Sequence, residues 1–243
     1  MPPGPASPDS AEHPPSTRGG LIAAAALVAL IILVGLAIAI LGAGDDDPGP
    51  VGGAPPPAAA STPDQALPTA VPTAAPDGVR WELVGPHAVP VSAAGPMQFT
   101  RTTASDFTHT PEGALIAAAQ IIARSSYSLS EEYWRPTIEQ QFVPSADRDR
   151  LLAVLEAEDS APADPGAMSQ IAGFSYQSYT PDTAVIGLVL RAPSAGTARY
   201  HVLSLTLLWR GGDWRMQAPP GGSWLSINRA TDDLTGVVEW GAR

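Results

Sequence analysis

Residues 199–218 read RYHVLSLTLLWRGGDWRMQA and carry the clearest β-hairpin pattern in the chain. From Arg199 to Arg210 the side chains alternate, and one face of the predicted strand carries His201, Leu203, Leu205, Leu207 and Trp209. Gly211 and Gly212 suit a two-residue turn, and the pattern returns from Asp213 to Ala218. This stretch therefore predicts an antiparallel sheet in the C-terminal half of the chain.

The residues before this hairpin predict helices first and strands second. Thr110, Pro111 and Glu112 form a helix start, because Thr caps, Pro fits the first turn and an acid suits the positive helix end. Apolar spacing predicts helices over about Pro111–Ser126, Glu131–Phe142 and Ser145–Glu158, and strands over Ile171–Tyr179 and Thr183–Ala192. Residues 81–110 are expected to be extended and irregular, and the apolar tail to pack on the domain with a short helix from about Asp232. This order predicts an α+β fold.

An uncharged apolar run from Leu21 to Leu41 predicts a transmembrane helix over residues 21–42. At about 1.5 Å per residue, this helix spans roughly the 30 Å of a bilayer's hydrocarbon core. A cleaved signal peptide is the alternative, but its apolar stretch is usually about 7–15 residues long, so an uncleaved anchor is favoured. The lipid bilayer is thus an expected partner of Leu21–Leu41.

The flanks of the run set the expected orientation and layout. Arg18 precedes it and Asp45, Asp46 and Asp47 follow it, which favours a cytoplasmic N-terminus. The sequence therefore predicts a single-pass plasma-membrane protein with a disordered cytoplasmic tail (1–20) and a Pro/Ala-rich linker (43–80). An extracytoplasmic α+β domain (81–243) follows.

Composition removes several classes of function. The formal net charge of −11 argues against nucleic-acid binding, which needs a basic face. There is no Cys, which excludes disulfides, thiolate chemistry and Cys-based metal sites. The four His have no spacing that favours a metal, and no nucleophile elbow or phosphate-cradling loop occurs. We therefore expect a protein that is not an enzyme, with no catalytic residues, no cofactor and no metal.

Two motifs resemble known families. Residues 107–118, FTHTPEGALIAA, are similar to the GF-x-x-T-P-x-G-A-x-x-A-A segment of an uncharacterised family of actinobacterial single-pass membrane proteins associated with integrative and conjugative elements. Asp106 stands where that pattern has Gly. Residues 207–215, LLWRGGDWR, resemble the strand–turn–strand ending of the nuclear transport factor two-like fold, a helix-lined cone closed by a curved antiparallel sheet.

The layout also resembles that of the bitopic scaffold subunit of type IV secretion and conjugation machines. This resemblance implies a non-enzymatic assembly module of the cell envelope that binds protein partners and sibling subunits. The alternative is a sensor or carrier whose cone holds a small apolar molecule. Aromatic and His side chains that either line such a pocket or fill the core are Tyr127, Tyr133, Trp134, Tyr176, His201 and Trp209.

Overall fold

A computed structural model describes residues 66–157, 169–191 and 199–242 of the chain. The α-helices are α1 (Pro111–Arg124), α2 (Glu131–Gln141) and α3 (Ala146–Ala157), and two short 3₁₀ helices span Pro220–Gly222 and Trp224–Ile227. Before the α-helices come the short strands β1 (Arg80–Val84), β2 (His87–Val91), β3 (Gln98–Phe99) and β4 (Ala104–Ser105). After the α-helices come β5 (Gln170–Thr180), β6 (Thr183–Arg191), β7 (Tyr200–Arg210), β8 (Asp213–Met216), β9 (Asn228–Thr231) and β10 (Val238–Glu239). The predicted α+β class is confirmed.

The main sheet is antiparallel and six-stranded: five strands follow the order β10-β5-β6-β7-β8, and the sixth, β9, pairs with β7. The edge of β7 is shared, because β9 pairs with its first half (Tyr200–Leu203) and β8 with its second half (Leu207–Arg210). Two register shifts interrupt the pairing of β5 with β6, one after Ile171 and one after Tyr176. Such bulges increase the local bend and twist of a sheet.

Helix α1 begins where the sequence predicts. The Thr110 side chain accepts a hydrogen bond from the Gly113 backbone N–H at 3.0 Å, and Pro111 occupies the first turn. Almost every residue of α1 is buried, since it lies against the main sheet on one side and β2 on the other. A helix that is apolar all round is stable only inside a core, which is where α1 lies.

The core lies between α1 and the face of the main sheet that packs against it. Its largest fully buried side chains include Leu115, Ile116, Ile138, Phe142, Phe174, Ile186, Leu205 and Trp214. On β7, Leu203, Leu205 and Leu207 are buried, as their alternation predicts.

Two expectations need correction. Residues 81–110 are extended, as expected, but they are not irregular. They contain two small hairpins, β1–β2 and β3–β4; in the first, Leu83 pairs with Ala88 and Val84 with His87. The tail packs on the domain, but as the edge strands β9 and β10. No helix begins at Asp232 in the described tail; the Asp233 carboxylate instead accepts a hydrogen bond from the Thr235 N–H two residues on.

The predicted anchor at Leu21–Leu41, the predicted tail (1–20) and residues 43–65 of the predicted linker lie outside the described residues. Across 66–157, 169–191 and 199–242, none of the helices has the length and apolar character needed to cross a bilayer.

Candidate functional site

The two motifs that carry the family resemblances contact each other. Asp213, the first residue of β8, accepts hydrogen bonds from the backbone N–H groups of Asp106 (3.0 Å) and Phe107 (3.1 Å). The Trp214 indole N–H donates to the carbonyl oxygen of Thr108 at 3.0 Å. We call this arrangement the Asp213 clasp; it fixes the segment before α1 on the end of the β7–β8 hairpin.

His109 and Trp209 extend the clasp. Their rings stack at a centroid distance of 3.9 Å and an interplanar angle of 5°, and the edge of Trp214 meets both. The His109 Nε2–H donates to the Pro181 carbonyl oxygen at 2.6 Å. Trp209 is therefore a packing residue of the clasp, with no position in either of the cavities described below.

Asp106 occupies the position where the resembling motif has Gly, and its φ angle is 64°. A side chain in this left-handed region costs about 1–2 kcal/mol, which Gly avoids at an entropic cost of about 0.5–1 kcal/mol. We expect Asp106→Gly to raise the free energy of unfolding by about 0.5 kcal/mol and Asp106→Ala not to raise it. Urea denaturation followed by tryptophan fluorescence measures both; equal stability of the two variants would contradict the argument.

Burial of the Asp213 side chain raises the pKa of its carboxyl above the usual 3.8, against the lowering effect of its three backbone N–H donors. The folded state therefore holds this proton more tightly than the unfolded state. The stability that this bound proton contributes is fully present below pH 3.8 and is lost as the pH rises through the folded-state pKa of Asp213. We expect the stability of the natural protein relative to Asp213→Asn to fall across that window, as measured by urea denaturation at stepped pH; a rise would contradict the sign.

A cavity of about 270 Å³ opens where α1 ends and β5 begins. It is lined by His87, Ala88, Ile122, Ala123, Ser125, Ser126, Tyr127, Ser128, Ser169, Gln170, Ile171, Leu190, Leu203 and Trp224. We call it the Tyr127 cavity. Its floor is apolar because the wall of α1 and the ends of β6 and β7 contribute Ile, Ala and Leu. Its composition is typical of small-ligand pockets, and its volume is just below their usual range of about 300–1,000 Å³.

One wall of the Tyr127 cavity is polar. The His87 Nε2 atom lies 3.0 Å from the Ser128 Oγ atom, which lies 2.8 Å from the Ser126 Oγ atom. Burial lowers the pKa of His87, so the imidazole is neutral at pH 7. The three side chains form one continuous chain of hydrogen bonds along the wall, the His87–Ser126 chain.

Three exposed apolar side chains belong to segments that line this cavity or lie directly beside a lining residue. Tyr127 is 56% exposed and Leu225, next to the lining residue Trp224, is 81% exposed. Leu83 is 76% exposed and lies opposite the lining residue Ala88 in the β1–β2 hairpin, on the same face. We call Leu83, Tyr127 and Leu225 the apolar rim.

A second cavity, of about 560 Å³, lies beside β5 and β10. Its wall includes Trp81 and Trp240, whose ring centroids are 5.1 Å apart, together with Arg191, Tyr200 and Glu239. It is a more polar site than the Tyr127 cavity, with both signs of charge on its wall.

The six aromatic and His residues singled out in the sequence do not converge on one cavity. Tyr127 lines the cavity named after it. Trp134 is 1% exposed in the core, and Tyr133 packs on a small cluster that includes Val84, Val89 and Leu129. The Tyr176 hydroxyl donates to the Pro111 carbonyl oxygen. The His201 Nδ1 atom lies 3.1 Å from the Asn228 Oδ1 atom, between β7 and β9.

No local pattern in the sequence points to the remaining lining residues. His87 follows a Pro in a segment expected to be irregular, and Ser126 and Ser128 are ordinary residues for a helix end. Their meeting depends on the β1–β2 hairpin folding over the end of α1. No set of three or more candidate metal ligands (His, Asp or Glu) lies together in residues 66–157, 169–191 and 199–242.

Residues 45–239 match the model of a family described as "Domain of unknown function (DUF8175)". This range spans every helix and strand described above. Neither the curated proteins nor the solved structures provide a significant match to the chain.

Proposed function

The chain belongs to the DUF8175 family, and from that premise we propose that it is a membrane-anchored, extracytoplasmic protein-interaction module. In this proposal its partners are proteins of the cell envelope, including further copies of itself, and it is a structural component of a conjugation apparatus of the type IV secretion kind. It does no catalysis.

The apolar rim carries the proposal. Leu83 and Leu225 are three-quarters or more exposed, and Tyr127 more than half. Single exposed apolar residues are common on soluble proteins, but several of them on segments that border one apolar cavity are typical of an interaction site. Aromatic and Leu side chains there would be covered by a partner, with a gain of about 25 cal/mol for each Å² of apolar surface buried.

The proposed topology supports this role. The apolar run Leu21–Leu41 would hold the chain in the plasma membrane, with Arg18 on the cytoplasmic side. The Pro/Ala-rich linker that follows would extend the domain away from the bilayer surface, within reach of envelope partners.

The finer fold assignment belongs to the same proposal. Three helices that precede an antiparallel sheet, and two bulges in β5, are compatible with a nuclear transport factor two-like cone. In such a cone the Tyr127 cavity would be the opening between the helices and the sheet. The likeness to the scaffold subunit of conjugation machines rests on this shape and on the anchor.

The test uses the full-length protein in its own cells, with a photo-crosslinking amino acid placed at Leu225 or Tyr127. Val154 on α3, which is 43% exposed and outside the Tyr127 cavity, is the matched control position. We expect adducts with a defined envelope protein or a second copy from the rim positions, and their loss in Leu225→Asp but not in Val154→Asp. Rim positions that give no more adducts than Val154 would overturn the proposal.

Protease added to intact protoplasts tests the anchor and its orientation. The proposal requires the full-length chain to sediment with membranes and the domain to be digested from outside. Recovery of the full-length chain as a freely soluble species, or a domain protected until the cells are lysed, would overturn it.

An alternative function, a ligand-binding domain that acts as a sensor or carrier, is favoured by one observation. The Tyr127 cavity combines an apolar floor with a few convergent polar groups, which is the usual composition of a small-molecule site. The same opening would then hold a small apolar molecule. A variant in which a larger side chain fills the cavity would separate the two functions, if it no longer binds a small molecule but still forms every crosslink with its protein partners.

A further inference from the structure

The size of the Tyr127 cavity limits what it can hold. About 270 Å³ lies just below the roughly 300–1,000 Å³ of sites that hold drug-sized ligands, so a ligand that fits inside it is small. Ile122, Leu190 and Leu203 contribute apolar surface from three different elements. A ligand that covers this apolar surface removes it from water, which favours an occupant with a hydrocarbon body.

The charge of the wall limits the ligand further. Among the described residues that line the cavity, none is Asp, Glu, Arg or Lys. A carboxylate or an ammonium group buried there would lose its hydration without gaining a counter-charge, which costs several kcal/mol. His87 supplies no positive charge at pH 7, because its burial lowers the pKa of the imidazole. A charged ligand is therefore disfavoured.

The His87–Ser126 chain supplies the specificity. Its three polar groups share two hydrogen bonds, of 3.0 Å and 2.8 Å, and the Ser126 Oγ atom also accepts from the Ser128 backbone N–H at 3.4 Å. A hydroxyl has one donor and two acceptor positions, so the terminal Ser126 hydroxyl keeps one position for another partner. If the His87 Nε2–H donates to Ser128, each hydroxyl donates onward and Ser126 offers a donor. If His87 accepts, the order reverses and Ser126 offers an acceptor. This reversible polarity fits a ligand hydroxyl, which is both donor and acceptor.

We propose that the Tyr127 cavity binds a small, uncharged amphiphile: a hydrocarbon body on the floor formed by Ile122, Leu190 and Leu203, with its hydroxyl group hydrogen-bonded to the His87–Ser126 chain. The proposal rests on the ligand-binding function given above as the alternative, and it specifies the ligand class. It requires no chemical change in the ligand.

The experiment uses the full-length chain in nanodiscs and three eight-carbon photoprobes that carry the same diazirine. One ends in a hydroxyl, one in a carboxylate and one in a methyl group. After irradiation and trypsin digestion, labelling is read on residues 125–148, which contain Tyr127, and on residues 216–229, which contain Trp224. Because labels are located by residue, probe that dissolves in the lipid does not count as cavity binding.

We expect the alcohol probe to label both peptides about threefold to tenfold more than the methyl-ended probe, which is the value of one neutral hydrogen bond. The carboxylate should label less than the alcohol. Ser128→Ala should reduce the alcohol's advantage to near unity, and Ser126→Ala provides the same test if Ser128→Ala does not fold. Ile122→Trp should abolish labelling by all three probes, while the matched Val154→Trp variant should label as the natural protein does.

Each other outcome is decisive. Equal labelling by the alcohol and methyl-ended probes, sensitive to Ile122→Trp, would keep the ligand-binding function but overturn the polar-end assignment. Stronger labelling by the carboxylate would overturn the uncharged class. Labelling of neither peptide by any probe would overturn the ligand-binding function together with the inference, and would leave the protein-interaction function to its own crosslinking test.

Discussion

Replacing Gly113 with alanine is expected to lower the free energy of unfolding by about 3 kcal/mol, although helix propensity alone predicts a gain of about 1 kcal/mol. Gly113 lies in the first turn of α1, and a Cβ atom there would lie 2.0 Å from the carbonyl oxygen of Thr108 and 2.7 Å from its Oγ1. That carbonyl accepts the Trp214 indole N–H and the Thr110 N–H. Making room for the methyl group therefore displaces backbone that the Asp213 clasp holds.

The matched control is Gly212→Ala, because a Cβ atom there meets nothing within 4 Å, although its φ of 80° disfavours a side chain. We expect it to cost about 1 kcal/mol, which is the conformational penalty without the overlap. Urea denaturation of both variants, followed by tryptophan fluorescence, measures the difference. A Gly113→Ala protein at least as stable as the natural one would mean that the close approach to Thr108 is not rigid.

The parts of the fold that the sequence predicts are those with strong local signals. Alternation over Arg199–Arg210 and the Gly211-Gly212 turn specify β7 and β8, and Thr110 with Pro111 specifies the start of α1 within one residue. By contrast, β3, β4 and β10 are two residues long, too short for a period to show. Their pairing depends on long-range contacts, such as the register of Val238 with Phe174.

The candidate site was harder to predict for the same reason. The Tyr127 cavity is assembled from segments more than 130 residues apart, from His87 to Trp224, and no local pattern links them. Large aromatic residues are the sequence feature that suggests a pocket lining, yet Trp134 fills the core and Trp209 stacks on His109. Of those predicted positions, Tyr127 lines the cavity because it follows the end of α1 and is left exposed.

The two motifs that resemble known families have a structural role in this fold. Residues 106–113 hold the turn, the cap and the close approach that allow α1 to start against the β7–β8 hairpin. Asp213 lies at the centre of this contact. The motif therefore serves the fold, while the proposed interaction surface at the apolar rim lies at the opposite end of α1.

Replacing Asp213 with alanine should lower the free energy of unfolding by about 2–4 kcal/mol, because it removes the acceptor from the N–H groups of Asp106, Phe107 and Trp214. Phe107 is 2% exposed, so water cannot easily replace the bond. Relief of the buried charge offsets part of this loss. Asp213→Asn keeps one acceptor oxygen and should cost about 1 kcal/mol, and the exposed Asp149→Ala less than about 0.5 kcal/mol. Thermal and urea denaturation of the three variants decide: an Asp213→Ala protein as stable as Asp149→Ala would mean that the clasp does not hold α1 in place.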